Sequence, residues 1–332
     1  MTPERANVTK VREGMKITEL LSASKSPQIS YEIIPPRRGG SMAEIMATVD
    51  ELIEFEPHYI DVTSHSAQVY YEERPDGRWI RHIKRKRPGT LGVCAAIRSR
   101  YGIETVPHLL CKGFTREESE DALIELNYLG LQNVMALRGD ETSYKKPPQE
   151  DRSINEYAVD LVRQITDMNS GRYLEDLDGS AATDFCVGVA GYPERHFESP
   201  NMERDIQHLK RKIDAGAHYI TTQMFFDNRH FFDFVARCRA AGIDVPIIPG
   251  LKILTNKRHL QMLPSRFYVQ VPEELAGEVL EAKHEHVPEI GVRWAVRQAE
   301  GLLDAGLKNL HFYVMLTPNH VSEVVGSVLR MA

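Results

Sequence analysis

Ile29-Ser30-Tyr31-Glu32-Ile33-Ile34-Pro35-Pro36 is an apolar and aromatic run, stopped abruptly by two prolines, and it reads as a short buried strand. One carboxylate, Glu32, sits inside it. A charge in a strand covered on both faces costs several kcal/mol unless it is paired or takes up a proton. The neighbouring residues supply no partner, so the strand raises a question about chemistry as well as fold.

Outward from this strand the same alternation repeats. The turn Arg37-Arg38-Gly39-Gly40-Ser41 leads into a helix from Met42 to about Phe55, and further strands are expected at 59–63, 105–111, 133–137, 185–190, 219–223, 245–249 and 310–314. Helices are expected at 90–101 with Gly102 closing, at 115–129 with Thr115 as N-cap and Gly130 closing, and at 154–168, 202–215, 224–241, 256–263, 273–283 and 289–305, with a last one ending the chain. A long polar segment separates 63 from 90, and 169–184, rich in Gly, Asp and Ser, reads as a surface insertion. Eight strands without a Pro/Ser-rich linker predict an α/β fold, a single-domain (β/α)8 TIM barrel with extra helices over 29–332, preceded by a leader or helix over 1–28. Two doubly wound domains would show GxGxxG after a strand; neither that pattern nor GxxxxGK[ST] occurs.

Composition narrows the function classes. The 332 residues are 42% apolar and 27% charged, with net charge −6, which gives no general attraction for nucleic acid or anionic lipid. No apolar run approaches the roughly 20 residues that span a bilayer, and Met1–Lys25 has no signal-peptide core. Cys94, Cys111, Cys186 and Cys238 stand far apart and suit a reducing compartment; a cytoplasmic protein is expected. His and Cys are too scattered for a sequence-local metal site, so no metal is predicted. Reacting groups of a barrel gather at the C-terminal strand ends. Those ends read Glu32, Thr63-Ser64, His108, Arg138-Gly139-Asp140, Tyr192, Gln223 and Tyr313; only the seventh strand, ending Pro249-Gly250, lacks a polar side chain. One barrel mouth with one site is the reading.

Tyr31-Glu32-Ile33-Ile34-Pro35-Pro36, Pro107-His108-Leu109, Ala136-Leu137-Arg138-Gly139-Asp140, Ala190-Gly191-Tyr192-Pro193-Glu194, 209–217, Thr222-Gln223-Met224-Phe225-Phe226-Asp227, Ile248-Pro249-Gly250 and His311-Phe312-Tyr313 resemble, in order, the motifs of the methylenetetrahydrofolate reductase family. Each motif alone is weak; eight in sequence order make a specific match. The resemblance implies FAD as cofactor and NADH or NADPH as co-substrate. Hydride would pass through the flavin to methylenetetrahydrofolate, giving methyltetrahydrofolate and supplying methyl groups for methionine synthesis. It implies small-molecule substrates, no nucleic acid, no membrane, and a homo-oligomer.

Residue by residue, the resemblance makes Glu32 the general acid that opens the substrate's five-membered ring; a desolvated carboxyl can stay protonated near neutrality. Asp140 would lie near flavin and pterin and tune the flavin potential. Flavin contacts fall on Thr63, Ser64, Ser66, His108, Arg138, Gly139, Tyr157, Ala158, Tyr192, His196, Asp205, His208, Arg211 and Lys212. Substrate contacts fall on Glu32, Asp140, Gln223 and Tyr313. Asp205, His208, Arg211 and Lys212 follow i, i+3, i+6, i+7, a spacing expected to share one helical face. Two departures stand out: Val314-Met315-Leu316-Thr317-Pro318-Asn319 lacks the Asn-Arg pair of many relatives, and Leu263 replaces an aromatic ring of some members.

Two other classes compete. Lys112 or Lys252, just past a strand, would serve a Schiff-base lyase or aldolase. The run Arg78-Trp79-Ile80-Arg81-His82-Ile83-Lys84-Arg85-Lys86-Arg87 suits a nucleic acid, with Trp79 for stacking, or a polyglutamylated folate tail on Arg85-Lys86-Arg87.

Overall fold

Parallel strands buried on both faces need short, near-continuous apolar runs, and these form the staves of a barrel. The computed structural model describes residues 14–23, 26–140, 153–315 and 318–330. In chain order the strands are β1 (Gln28–Ile33), β2 (Tyr59–Val62), β3 (Gln68–Glu73), β4 (Trp79–Lys84), β5 (Glu104–Leu110), β6 (Asn133–Leu137), β7 (Cys186–Gly191), β8 (Tyr219–Thr222), β9 (Ile247–Ile248), β10 (Gly250–Leu251) and β11 (Asn309–Met315). Nine of them form one parallel sheet in the order β10-β11-β1-β2-β5-β6-β7-β8-β9. β9 and β10 are one stave split at Pro249, which has no N–H to give the ladder, although its carbonyl still accepts from His311 N at 3.0 Å. The nine segments therefore make the eight staves of the expected barrel.

Helices alternate with the staves: α1 (Ile17–Ala23), α2 (Met42–Leu52), α3 (Thr90–Tyr101), α4 (Arg116–Tyr128), α5 (Ala158–Asn169), α6 (Met202–Asp214) and α7 (Asn228–Ala240). Three more, α8 (His259–Phe267), α9 (Glu273–Glu281) and α10 (Val287–Asp304), lie between β10 and β11, and α11 (Pro318–Leu329) follows. Local chemistry sets the ends. The Thr115 hydroxyl accepts from Glu118 N at 3.1 Å while the Glu118 carboxylate accepts from Thr115 N at 2.8 Å, a reciprocal cap for α4. Gly102 closes α3 at φ 69°, in the left-handed region. α8 starts later than the expected 256, because His259 turns its ring back onto Thr255 N (3.2 Å) and the Asn256 amide (3.0 Å).

The main core fills the layer between staves and helices. A second cluster fills the barrel interior with Tyr59, Val106, Met135, Cys186, Tyr219 and Ile248, and Ile17 of α1 closes it from below. Ile17 N donates to Asn133 Oδ1 at 2.9 Å, so the segment just before β1 contributes to the barrel itself; residues 1–13 lie outside the described residues. Gly188 is required here, since a Cβ on it would lie 2.4 Å from Tyr219 Cζ.

The expected long polar segment between β2 and α3 is instead an antiparallel hairpin, β3–β4, in a sheet of its own. Gly77 turns it at φ 80° after Asp76, and Tyr70 stacks on His82 across the strands at 4.9 Å. The basic run is divided by this geometry. Trp79 is exposed on the hairpin, while Arg85 lies 4.6 Å over the Phe114 ring and Arg87 donates to Pro35 O at 2.6 Å. Of the three residues expected to meet a polyglutamate tail, Lys86 alone is exposed.

Candidate active site

At the C-terminal end of β1, Glu32 stands opposite Asp61 of β2 on one side and Tyr313 of β11 on the other. The register slips just beyond, where Ile33 faces Met315 and Met315 takes a φ of 62°; such bulges re-aim side chains at barrel rims. Glu32 Oε2 lies 3.8 Å from His108 Nε2, and the same nitrogen lies 3.4 Å from Asp61 Oδ2. One imidazole therefore stands between two carboxylates. Burial, reinforced by Asp61 and Asp140 against His108 and Lys252, pushes the Glu32 carboxyl up to about 7. For His108, burial opposes the charged form, but the hydrogen bond to Asp61 and the two negative charges outweigh it, and its pKa is raised.

The opposite wall is built by β8, β10 and β11. The Tyr313 hydroxyl donates to Thr222 O, and Gly250 lets the ring lie there: a Cβ on Gly250 would come within 2.2 Å of Thr222 O and 2.7 Å of Tyr313 Cε2. Lys252 donates from Nζ to Tyr313 O at 2.8 Å, and burial holds its pKa down to about 8 despite Glu32. Gln223 turns its Oε1 back to accept from Met224 N at 2.9 Å, which leaves its amide nitrogen as the end that can meet a ligand.

A second set of side chains lies beyond β6 and β7. Arg138 pairs with Glu198 and lies 5.1 Å over the Tyr157 ring. Lys212 of α6 reaches in to donate to Ala190 O at 2.6 Å, with its pKa lowered to about 8 by burial against the pull of Asp205. Asp205 itself accepts from His196 N at 3.0 Å and from the Ser199 hydroxyl at 2.8 Å, which fixes the loop after β7. The His196 ring meets Tyr192 edge-on at 4.7 Å. Lys212 thus carries a largely buried charge satisfied by a neutral carbonyl, with no carboxylate within ion-pair distance among the described residues. That donor set fits a diphosphate.

The methylenetetrahydrofolate reductase family model matches residues 16–328. The chain belongs to the methylenetetrahydrofolate reductase family. It is 31% identical over 317 residues to methylenetetrahydrofolate reductase 2 of Saccharomyces cerevisiae, covering 91% of this chain and 47% of that protein. It is 30% identical over 289 residues to the 5,10-methylenetetrahydrofolate reductase of Pectobacterium carotovorum, covering 86% of this chain and 85% of that one. The chain thus spans about half the length of the yeast relative and most of the bacterial one. Among solved structures, a Clostridium thermocellum protein described as binding two copies of 5-methyl-5,6,7,8-tetrahydrofolic acid superposes with a TM-score of 0.55 at 14% identity, covering 92% of this chain and 95% of that one. That likeness shows the fold alone.

Measured against the reductase motifs, Glu32, His108 and Tyr313 stand together at the mouth, and Gln223 follows the end of β8 with its Oε1 turned back to Met224 N. Thr63 bonds His65 through Oγ1 at 3.2 Å, Ser64 and His108 line a cavity of about 210 Å³, and Ser66 packs so closely on Gly113 that a Cβ there would lie 2.7 Å from its own. Asp140 is exposed at the rim, 3.4 Å from Arg266, and Gly139 turns the chain into it at φ 87°. Tyr157 and Ala158 open α5. The four residues of α6 do not share one environment: Asp205 and Lys212 turn inward, whereas His208 and Arg211 are exposed. The cause is helical geometry, since residue 211 lies about 120° around the axis from residue 205 at 100° per residue. Leu263 is buried in the cluster formed with α9 and α10, and presents no surface to a ligand. Of the strand-eight departure, Leu316 and Thr317 lie outside the described residues. Among the described residues no group of three metal ligands occurs and no helix is long and apolar enough to cross a membrane.

Sequence reasoning missed Asp61 and overlooked Lys252 as a neighbour of Glu32. Asp61 carried a usable signal: like Glu32, it is a carboxylate in the middle of a buried run, Tyr59-Ile60-Asp61-Val62.

Proposed function

We propose that this chain reduces methylenetetrahydrofolate to methyltetrahydrofolate, with FAD as cofactor and NADH or NADPH as donor. The observation that carries the reading is Glu32 at the barrel mouth, flanked by Asp61 and Tyr313 and 3.8 Å from His108 Nε2, where burial raises its carboxyl to about 7 and lets it hold a proton at neutral pH. When bound, FAD supplies the hydride relay between the nicotinamide and the folate. Lys212, and Arg138 where it turns from Glu198, would supply positive charge for its diphosphate, Gly139 would permit close backbone approach, and Tyr192 with His196 would offer an aromatic wall. Glu32 delivers its proton to a ring nitrogen of the folate, which opens the five-membered ring to an electrophilic iminium. The Gln223 amide donates to a pterin edge or a nicotinamide carboxamide, and the Tyr313–Thr222 contact holds the wall rigid. A cytoplasmic location and self-association accompany this reading.

Lys252 gives a second reading some footing, because a lysine held near 8 is a candidate Schiff-base nucleophile. Its Nζ is engaged by Tyr313 O, which favours a supporting role. The absorption spectrum of the purified protein separates the two. Flavin bands that bleach under anaerobic NADH and return on adding methylenetetrahydrofolate support the reductase. Colourless protein trapped covalently by borohydride with a carbonyl substrate supports the lyase.

A further inference from the structure

We propose that Asp61 is the positioning residue that keeps the proton on Glu32, by claiming the His108 imidazolium that would otherwise neutralise Glu32 as a carboxylate. The proposal rests on the reading of Glu32 as the proton donor.

Three features of the geometry carry it. Glu32 and Asp61 are register partners on adjacent staves, so both project into the same layer of the barrel. His108 Nε2 faces both, at 3.4 Å from Asp61 and 3.8 Å from Glu32. A single ring nitrogen has a single hydrogen, and it can serve one carboxylate. Asp61 is also 1% exposed, and its Oδ1 has no hydrogen-bond partner among the described residues. A buried carboxylate satisfied on one side only is costly to the fold, so a purely structural role is a poor account of it. Its charge, in contrast, has a consequence next door.

The remaining groups facing Glu32 do not do this work. Lys252, following β10, donates to Tyr313 O; Asp140, following β6, is exposed at the rim; Tyr313 of β11 donates its hydroxyl to Thr222 O. Two further imidazoles face the pair and stay neutral: His311 of β11, beside Asp61 and His108, is held down to about 4 by burial, and His65, bonded to Thr63 Oγ1, is also lowered by burial. With Asp61 ionised and His108 charged, those two neutralise each other and Glu32 is most stable as the neutral acid. Without the Asp61 charge, the same imidazolium turns to Glu32 and the layer releases one proton. Burial acting on Glu32, and Asp61 acting on His108, push in the directions this requires.

The test is infrared spectroscopy of the protein at pH 7, reading the carbonyl band of a protonated carboxylic acid in wild type, Glu32→Gln and Asp61→Asn, with nitrogen NMR of His108 in wild type. The band should be present in wild type and absent from both variants, and His108 should be the doubly protonated imidazolium. In the folate half-reaction, Asp61→Asn should be about tenfold or more slower at pH 7 and recover as pH falls, with bleaching by NADH unchanged. A band that survives in Asp61→Asn overturns the proposal. So does a band that survives undiminished in Glu32→Gln, which would show that the proton is not on Glu32, and so does a neutral His108. Should Asp61→Asn fail to fold, the wild-type His108 signal decides: imidazolium supports the assignment and neutral imidazole refutes it. Wild-type protein that shows the band but reduces no folate would refute the functional reading while leaving this one standing.

Discussion

Glu32→Gln is the perturbation with the sharpest consequences. Glutamine keeps the volume and the hydrogen-bonding outline of the protonated acid but has no acidic proton to give. With the Glu32 carboxyl near 7, about half of the wild-type molecules hold the proton at pH 7; at the ordinary carboxylate value roughly 0.3% would. A positioned general acid contributes about 10²–10⁴-fold, or roughly 3–5 kcal/mol of barrier. Anaerobic stopped-flow mixing separates the two half-reactions. Bleaching by NADH should be nearly unchanged, and the return of colour with methylenetetrahydrofolate should slow by that factor. In wild type the folate step should fall about tenfold per pH unit above 7. Equal loss in both half-reactions, or a wild-type profile with no break near 7, would refute the assignment. Stability supplies an independent arm. The folded pKa lies above the unfolded value, so the proton on Glu32 stabilises the fold fully below about pH 4.5, and this is lost as pH rises through about 7. The shift, 7 − 4.5, sets a ceiling of about 3 kcal/mol. Glu32→Gln removes that dependence, so its stability relative to wild type should rise between those two pH values in denaturant titrations.

Gly250→Ala should destabilise the fold by about 1–3 kcal/mol or more, because the added methyl meets Thr222 O and the Tyr313 ring; an unchanged denaturation midpoint would show that this wall is softer than its contacts imply. Lys212→Met should leave the circular dichroism intact while lowering the flavin-to-protein absorbance ratio after purification, and wild-type flavin retention should decline as pH rises through about 8, where Lys212 loses its charge. Thr115→Ala removes the reciprocal cap of α4 and should cost about 1 kcal/mol in thermal or denaturant unfolding, with no effect on the folate step.

The staves were legible because each is a short apolar run closed by a turn residue, and burial on both faces leaves such a run little alternative in an α/β chain. The split of one stave at Pro249 was equally open to reading, since proline cannot donate to a ladder. The β3–β4 hairpin carried its signal in Asp76-Gly77 between alternating apolar residues. The positive residues of β4 read as a patch by charge alone, whereas the register sets Arg81, His82 and Lys84 opposite Tyr71, Tyr70 and Gln68 of β3.

The candidate site was legible to a different depth. Position along a strand says which residue reaches the rim, and the structure places Glu32, His108 and Tyr313 beside one another there, with Gln223 just past β8. Position along a strand does not say what stands beside them, because each neighbour comes from another stave: Asp61 arrives with β2, Lys252 with β10 and His108 with β5. The partner of Glu32 is accordingly no arginine near it in sequence but an imidazole 76 positions away that is already claimed by a second carboxylate. That second carboxylate is subject to the same energetics as Glu32. A charge inside a buried strand calls for a partner or a proton, and the argument applies to Tyr59-Ile60-Asp61-Val62 as strictly as to Tyr31-Glu32-Ile33. Taken together, the two strands place two carboxylates in one layer. In such a pair one takes the cation and the other keeps the proton, and the distances to His108 favour Asp61 for the first role.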